Sequence, residues 1–341
     1  MEKYILSKEN LPKLVNGMIG KYKVFAPVDD NDVTLFKQIK NPKEINLDFT
    51  NSKVPPKSLM LCQTETLFKF TPGTKGKIQS VDINNGGSAI FGIRPCDAKS
   101  FFILDPVFKD DFEDPYYLTK RKNTVLVGLS CNQPSSNCFC TSFDDSPASS
   151  KYVDVLLTDI GDKYFVEVHS DKGKQLVKTN SILFKPATDS DGKKKKDVEK
   201  KAKDIITRSQ KINGITEKLD KIFENPFWKE VADKCLRCGI CTYLCPTCHC
   251  FDIQDEATMS DGARVRVWDT CMIPEYTLQA SGYNPRPTRV NRVRNRVYHK
   301  YNYFPKNFDI IACVGCGRCI DGCPVNIDII DVVTRAGEVK P

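Results

Sequence analysis

Two unlike domains are predicted from this sequence. The first is a mixed α/β (or α+β) domain over residues 1–185; the second is an α-helical domain over residues 226–341, built round cysteines. A charged segment of linker and helices, residues 186–225, joins them. Three observations carry the prediction. In the first part, short apolar β-branched runs alternate with helix-like segments, the pattern of layered α and β elements. A lysine-rich stretch without cysteine then separates Cys140 from Cys235. Beyond it, one cysteine pattern occurs twice.

The elements follow in order. Asn10 precedes an apolar-periodic run from Leu11 to Ile19 with Pro12 at a tolerated early position, so a helix starts there. Residues 22–28, 88–93 and 124–129 read as strands, short and β-branched. Residues 152–157 and 164–168 flank Gly161-Asp162 and read as a hairpin. Residues 185–211 break the composition: a solvated turn leads into a helix whose lysines, 193–196, are interrupted by Asp197, Glu199 and Asp204. Spaced ion pairs on a helix fit that pattern better than a phosphate track. From Ile215 a helical pattern runs through Phe223, Phe227 and Val231.

At 341 residues the chain needs no disulfide staples to build a core, yet it has 16 cysteines. The first residues lack the apolar core of a secretion signal, and no apolar run reaches the ~18–20 residues of a membrane span. The expectation is a cytoplasmic protein with no membrane partner. In a reducing compartment many cysteines argue for metal rather than disulfides.

Cys235, Cys238, Cys241 and Cys245 form C-x2-C-x2-C-x3-C-P, ending in Pro246, and Cys313, Cys316, Cys319 and Cys323 repeat it, ending in Pro324. This is the two-cluster ferredoxin signature, in which the fourth cysteine of each run reaches the other cluster. The expected ligand sets are therefore Cys235, Cys238, Cys241 and Cys323 for one [4Fe–4S] cluster, and Cys313, Cys316, Cys319 and Cys245 for the other. Gly239, Gly315 and Gly317 allow the backbone to approach each core closely. Zinc would call for paired C-x2-C knuckles or Cys/His mixtures. Since 78 residues separate Cys245 from Cys323, and helical periodicity marks residues 276–280, the second domain reads as a helical ferredoxin-like type. Cys248, Cys250 and Cys271 are spare metal ligands or, more in keeping with their neighbours, groups that tune cluster potential by hydrogen bonding. His249 reads as structural.

A third centre is expected in the first domain. Cys96 follows one apolar strand and Cys131 another; if the strands are parallel neighbours, both cysteines sit at the carboxyl edge of the sheet, where α/β folds place ligands. Asp97 reads as the N-cap of a helix through Phe101 to Leu104. Cys138 and Cys140 lie just beyond Cys131, completing a four-thiolate set. The alternative is a group of buried, inert thiols. Cys62 reads as core.

There is no G-x-G-x-x-G after a strand, no G-x-x-x-x-G-K-[ST] and no H-E-x-x-H, so no site for a nicotinamide, a nucleotide or hydrolysis is legible and no catalytic residue is nominated. Arg286, Arg289, Arg292, Arg294, Arg296 and Lys300 form a basic stretch with Tyr298 and His299. Neutralising anionic clusters and docking an acidic partner explain it better than nucleic acid does. The formal charge of +8 counts every cysteine as neutral. Two clusters of net −2 each would leave about +4, and three about +2.

The runs 92–97, 138–140, 245–248 and 264–271, in this order, resemble the iron–sulfur subunits of anaerobic sulfite reductase and the beta subunit of cytosolic sulfhydrogenase. The resemblance covers most of the chain from about Ser88 onward. It implies a non-catalytic electron-transfer subunit of an anaerobic oxidoreductase complex. One neighbour would be a ferredoxin-reductase-like flavoprotein binding FAD and NAD(P). The other would be a catalytic subunit such as a nickel–iron hydrogenase, a sirohaem sulfite reductase or a disulfide reductase. Two other classes stay open: a self-contained iron–sulfur reductase acting on sulfite, polysulfide or a disulfide, and a zinc-dependent binding module with no redox role.

Overall fold

The computed structural model describes residues 2–73, 76–84 and 86–340. In chain order its strands are β1 (Glu2–Ser7), β2 (Lys23–Asp30), β3 (Val33–Gln38), β4 (Thr64–Phe70), β5 (Ile78–Ser80), β6 (Ser88–Ile93), β7 (Thr124–Leu129), β8 (Val155–Asp159), β9 (Lys163–Val168), β10 (Phe184–Pro186), β11 (Phe251–Ala257) and β12 (Gly262–Trp268). Its α-helices are α1 (Leu11–Ile19), α2 (Pro95–Phe108), α3 (Pro115–Asn123), α4 (Asp171–Thr179), α5 (Asp189–Ile205), α6 (Ile215–Lys221), α7 (Phe227–Asp233), α8 (Ile240–Tyr243), α9 (Arg289–Tyr298), α10 (Phe304–Phe308), α11 (Arg318–Asp321) and α12 (Ile329–Glu338).

Eight strands form the main sheet in the order β10-β1-β9-β8-β7-β6-β2-β3, with β2, β6, β7 and β8 parallel. These central strands are apolar on both faces because helices cover both, as a parallel sheet requires. Ala89, Phe91, Val125 and Val127 point to one side, against Leu14, Val15 and Met18 of α1. Ile90, Ile93 and Leu126 alternate to the other, against Phe101 and Leu104 of α2 and Tyr117 of α3. The hairpin is present, antiparallel between β8 and β9 with Asp159 opposite Tyr164. The strands carrying Cys96 and Cys131 at their carboxyl ends, β6 and β7, are parallel neighbours in register from Ser88 opposite Thr124.

Three local expectations are corrected. Asp97 does not cap α2: the helix begins at Pro95 after Arg94, because proline presets the first helical φ and lacks the N–H that would go unbonded. Asp97 is instead the third helical residue. Residues 276–280 form no α-helix; only a short 3-10 turn spans Pro274–Thr277, and Gly282, Pro285 and Pro287 bar its continuation. The long insertion between the motifs is partly β. Its hairpin β11–β12 joins β4 and β5 of the first half in a four-stranded sheet ordered β11-β12-β4-β5, so the second half is not purely helical.

The lysine-rich segment is tied down. A capping box at Thr188 and Asp191 starts α5, Asp191 pairs with Lys163 of β9 at 2.8 Å, and Lys195 reaches both Glu167 and Glu199. The second half has its own core, in which Trp228, Val297, Tyr298, Tyr301 and Val333 pack round the cysteine loops, with Phe139 inserted from the first half.

Candidate metal centre

Both cysteine motifs fold into the same local shape: a loop, a left-handed glycine, then a one-turn helix. Gly239 (φ 75°) precedes α8 and Gly317 (φ 77°) precedes α11. Two residues earlier, Arg237 (φ 59°) and Gly315 (φ 65°) occupy equivalent left-handed positions. At Gly315 no side chain fits, since a Cβ would stand 2.5 Å from the backbone of Phe139 and Cys140.

Each loop wraps a hollow. Cys235, Cys238, Cys241 and Cys323 line one, with Gly239 and Pro324. Cys245, Cys313, Cys316 and Cys319 line the other, with Gly315 and Gly317. The fourth cysteine of each motif thus lies in the wall of the other motif's hollow. Among the described residues no three His, Cys, Asp or Glu side chains close on a point that would hold a single metal ion. The sulfurs of each quartet are spread round a space instead. A donor set of four soft sulfurs round a hollow fits a cubane iron–sulfur core.

Two buried cations complete the walls. Arg296 of α9 lines both hollows. Its Nε has no hydrogen-bond partner. Lys300, one turn on, points its Nζ at the Cys245 Sγ at 3.2 Å, while bonding Thr247 Oγ1 at 2.9 Å and the Ala312 carbonyl at 3.0 Å. Burial opposes both charges, but the surrounding cysteines outweigh it and push both pKa values up. Burial raises the thiols in turn: Cys319 goes to about 12, and Cys241, Cys313 and Cys316 also rise. Cys245 runs the other way. The Cys248 thiol, then Lys300 and Lys57, favour its thiolate. Lys57 is itself buried, donating to the Cys248 carbonyl at 2.8 Å above the Trp268 ring.

Of the remaining basic stretch, Arg294 stacks on Phe223 at 3.6 Å and pairs with Glu224, and Arg292 donates to the Ile273 carbonyl at 2.6 Å. These two are structural. Cys250 is lowered to about 6 by the Cys271 thiol and, after the opposing effect of burial, by the Tyr276 hydroxyl. His249 is enclosed by His299 and Phe304, and burial lowers it to about 3, so its ring is neutral. Cys62 is half-buried beside Met60 and Leu61 and meets the Lys120 ammonium at 3.4 Å.

The third set gathers where the main sheet meets the second motif. Cys96 sits in the first turn of α2, Cys131 follows β7, and Cys138 and Cys140 lie on the loop between β7 and β8. Burial raises Cys138 to about 11 and Cys140 to about 12; Cys131 adds to the rise at Cys138, and Cys138 and Cys131 both add to that at Cys140. Cys96 is raised well above its usual value, by burial first and by neighbours that include Cys316 and Cys140. Two buried guanidiniums oppose this. Arg94 favours the Cys131 thiolate, and Arg318, from the second motif, favours that of Cys96. Arg318 also forms a two-pronged pair with Asp97, at 2.6 and 2.8 Å, which bolts α2 to the second motif. Sequence reasoning misses Lys57 and the Asp97–Arg318 pair, since neither carries a local signal; Arg296 and Lys300 lie within the basic stretch but are not separable from it by pattern.

These features define an iron–sulfur protein, and a family model described as a 4Fe-4S dicluster domain matches residues 234–327. The sulfhydrogenase 2 subunit beta of Pyrococcus furiosus is 35% identical over 334 residues, covering 98% of this chain and 98% of that protein. The chain therefore belongs to the sulfhydrogenase beta-subunit family. The F420-dependent formate dehydrogenase subunit beta of Methanocaldococcus jannaschii is 23% identical over 181 residues, covering 50% of this chain and 38% of that protein. No solved structure matches the chain. Among the described residues no helix is long and apolar enough to cross a membrane.

Proposed function

We propose that the chain is a non-catalytic relay that moves single electrons between a catalytic subunit and an NAD(P)-linked flavoprotein subunit. That catalytic subunit would be a hydrogenase, a sulfite reductase or a disulfide reductase. The observation that carries the reading is the pair of cysteine quartets, each built from three residues of one motif and one of the other, with Arg296 in the wall of both. Cys235, Cys238, Cys241 and Cys323 would hold one [4Fe–4S] cluster, and Cys245, Cys313, Cys316 and Cys319 the other. Bound there, the clusters supply one-electron storage and transfer.

The chain's own residues do the rest. Burial of Cys245, Cys313, Cys316 and Cys319 shields the second quartet from water, and Arg296 and Lys300 offset the negative charge that grows on reduction. Cys96, Cys131, Cys138 and Cys140 would hold a third cluster. Its quartet adjoins the second motif through Cys96 and Cys316, so the third centre would neighbour the second. The formate dehydrogenase relative supports an oxidoreductase setting without fixing the partner.

Anaerobic purification from the native source tests this. The expected result is co-elution with a flavoprotein and a catalytic subunit, and bleaching of the chain's visible absorption when NAD(P)H is added to the complex. An isolated chain that alone turns over sulfite, polysulfide or a disulfide would overturn it.

A further inference from the structure

The two motifs share one backbone but not one environment. Val314 of the second is 3% exposed, packed with Ile103 of α2 and Phe304. Gly315 beside it lies against the Phe139–Cys140 backbone, with the Phe139 N–H donating to its carbonyl at 2.8 Å. Asn51 adds a bond to the Cys316 carbonyl at 2.9 Å. The first domain therefore covers this face of the second motif. The equivalent face of the first motif bears Leu236 in place of Val314 and Arg237 in place of Gly315, and nothing among the described residues covers it. Leu236 is 63% exposed, Arg237 is exposed, and Cys238 is the one exposed cysteine of the eight in the motifs.

Arg237 adds a second observation. A left-handed conformation costs an L-residue energy that glycine escapes, and such cost is retained where a side chain has work to do. The geometry turns the side chain of the residue between two cysteines outward, as a charge beside the first hollow. It is not alone. Arg289 lies close to Cys235, donating to the Asp233 carbonyl at 3.0 Å, and the Arg237 charge reaches the buried Arg292 and helps lower its pKa, burial being the larger cause. Lys234 is exposed next to Cys235. Of the nearby acidic groups, Asp233 is already paired with Lys229 at 2.9 Å and Glu275 faces Arg292. Cations dominate, with an exposed leucine among them.

We propose that the face formed by Leu236, Arg237 and Cys238, flanked by Lys234 and Arg289, docks the acidic surface of a one-electron carrier protein. This rests on the reading that the first motif holds a cluster. One electron leaves the carrier and arrives at the first-motif centre; no bond is made and no proton moves. Transfer occurs here because the neighbouring centre is walled in, while this one has a ligand at the surface.

The test is anaerobic stopped-flow mixing of the oxidised holoprotein with a dithionite-reduced acidic [2Fe–2S] ferredoxin as probe. For the wild type, the second-order rate constant is expected to fall about tenfold between low and high salt, as attraction between opposite charges is screened. Arg237→Glu with Arg289→Glu is expected to lower the low-salt rate about tenfold and flatten its salt dependence, with iron content unchanged. Lys200→Glu, on the exposed side of α5, is expected to change neither. If the double charge reversal loses iron, Arg237→Gln and Leu236→Gln are read in its place, each expected to slow transfer. A wild-type rate indifferent to salt, or iron-replete variants as fast as wild type, would overturn the docking face. A wild type without iron would instead overturn the cluster reading beneath it.

Discussion

Single residues decide whether each motif can close round its core. Gly315→Ala would add a Cβ 2.5 Å from the Phe139 and Cys140 backbone at a left-handed φ, so neither the loop nor its neighbour can yield cheaply. The expected outcome is about four irons fewer per chain after anaerobic purification; an unchanged count would mean the loop is not a cluster loop. Arg237→Gly, at the matching position in the first motif, removes a conformational cost and should stabilise the chain by up to about 1 kcal/mol in denaturant unfolding. Lys300→Met removes a buried positive charge beside the Cys245 sulfur. Reduction adds negative charge there, so one cluster's midpoint potential should drop on the order of 100 mV in a titration followed by electron paramagnetic resonance. A potential that stays put would show that Lys300 is only structural.

Secondary-structure elements set which of these residues meet. The turn of helix after α9 brings His299 against His249, which enters from the loop before β11, with ring centroids 5.3 Å apart. Burial lowers His249 to about 3 and His299 to about 4, against about 6.5 in the unfolded chain. Between pH ~6.5 and ~4 the unfolded chain takes up protons that the folded one refuses. Stability is therefore full above pH ~6.5 and falls on acidification, by roughly 1.4 kcal/mol per pH unit for each ring. His249→Phe should remove about half of that slope in denaturant midpoints compared between pH 7 and 5; an unchanged slope would contradict the assignment. Elements are unevenly legible in the sequence. The strands 88–93 and 124–129 are readable because both faces are buried, leaving an unbroken apolar run. The hairpin β11–β12 escapes notice, although 262–268 alternates in part, because 251–257 is almost wholly solvent-facing and its Asp252, Gln254, Asp255 and Glu256 leave no apolar signal. The spacing of apolar residues at 276–280 suggests a helix that the flanking glycine and prolines forbid.

At the level of the whole molecule, two sheets and a helical core are pinned together round the cysteines by contacts distant in sequence. Asp97 and Arg318, 221 residues apart, are both nearly inaccessible to solvent and join the parallel sheet's α2 to the second motif. No local pattern announces such a pair, whereas the repeated cysteine spacing announces both quartets that line the hollows, since each is written mostly in one short run. The same division explains why the charge of +8 misleads: Arg94, Arg296, Lys300 and Arg318 are buried beside thiols rather than offered to an acidic polymer. What those thiols hold is therefore decisive. Iron, zinc and acid-labile sulfide, counted per chain in anaerobically purified protein, test it most directly. The prediction is about twelve irons with matching sulfide, falling to about eight when Cys131 and Cys138 are both replaced by serine. Zinc without sulfide would contradict iron–sulfur ligation by these thiols, and an iron count indifferent to those two substitutions would rule out the third centre.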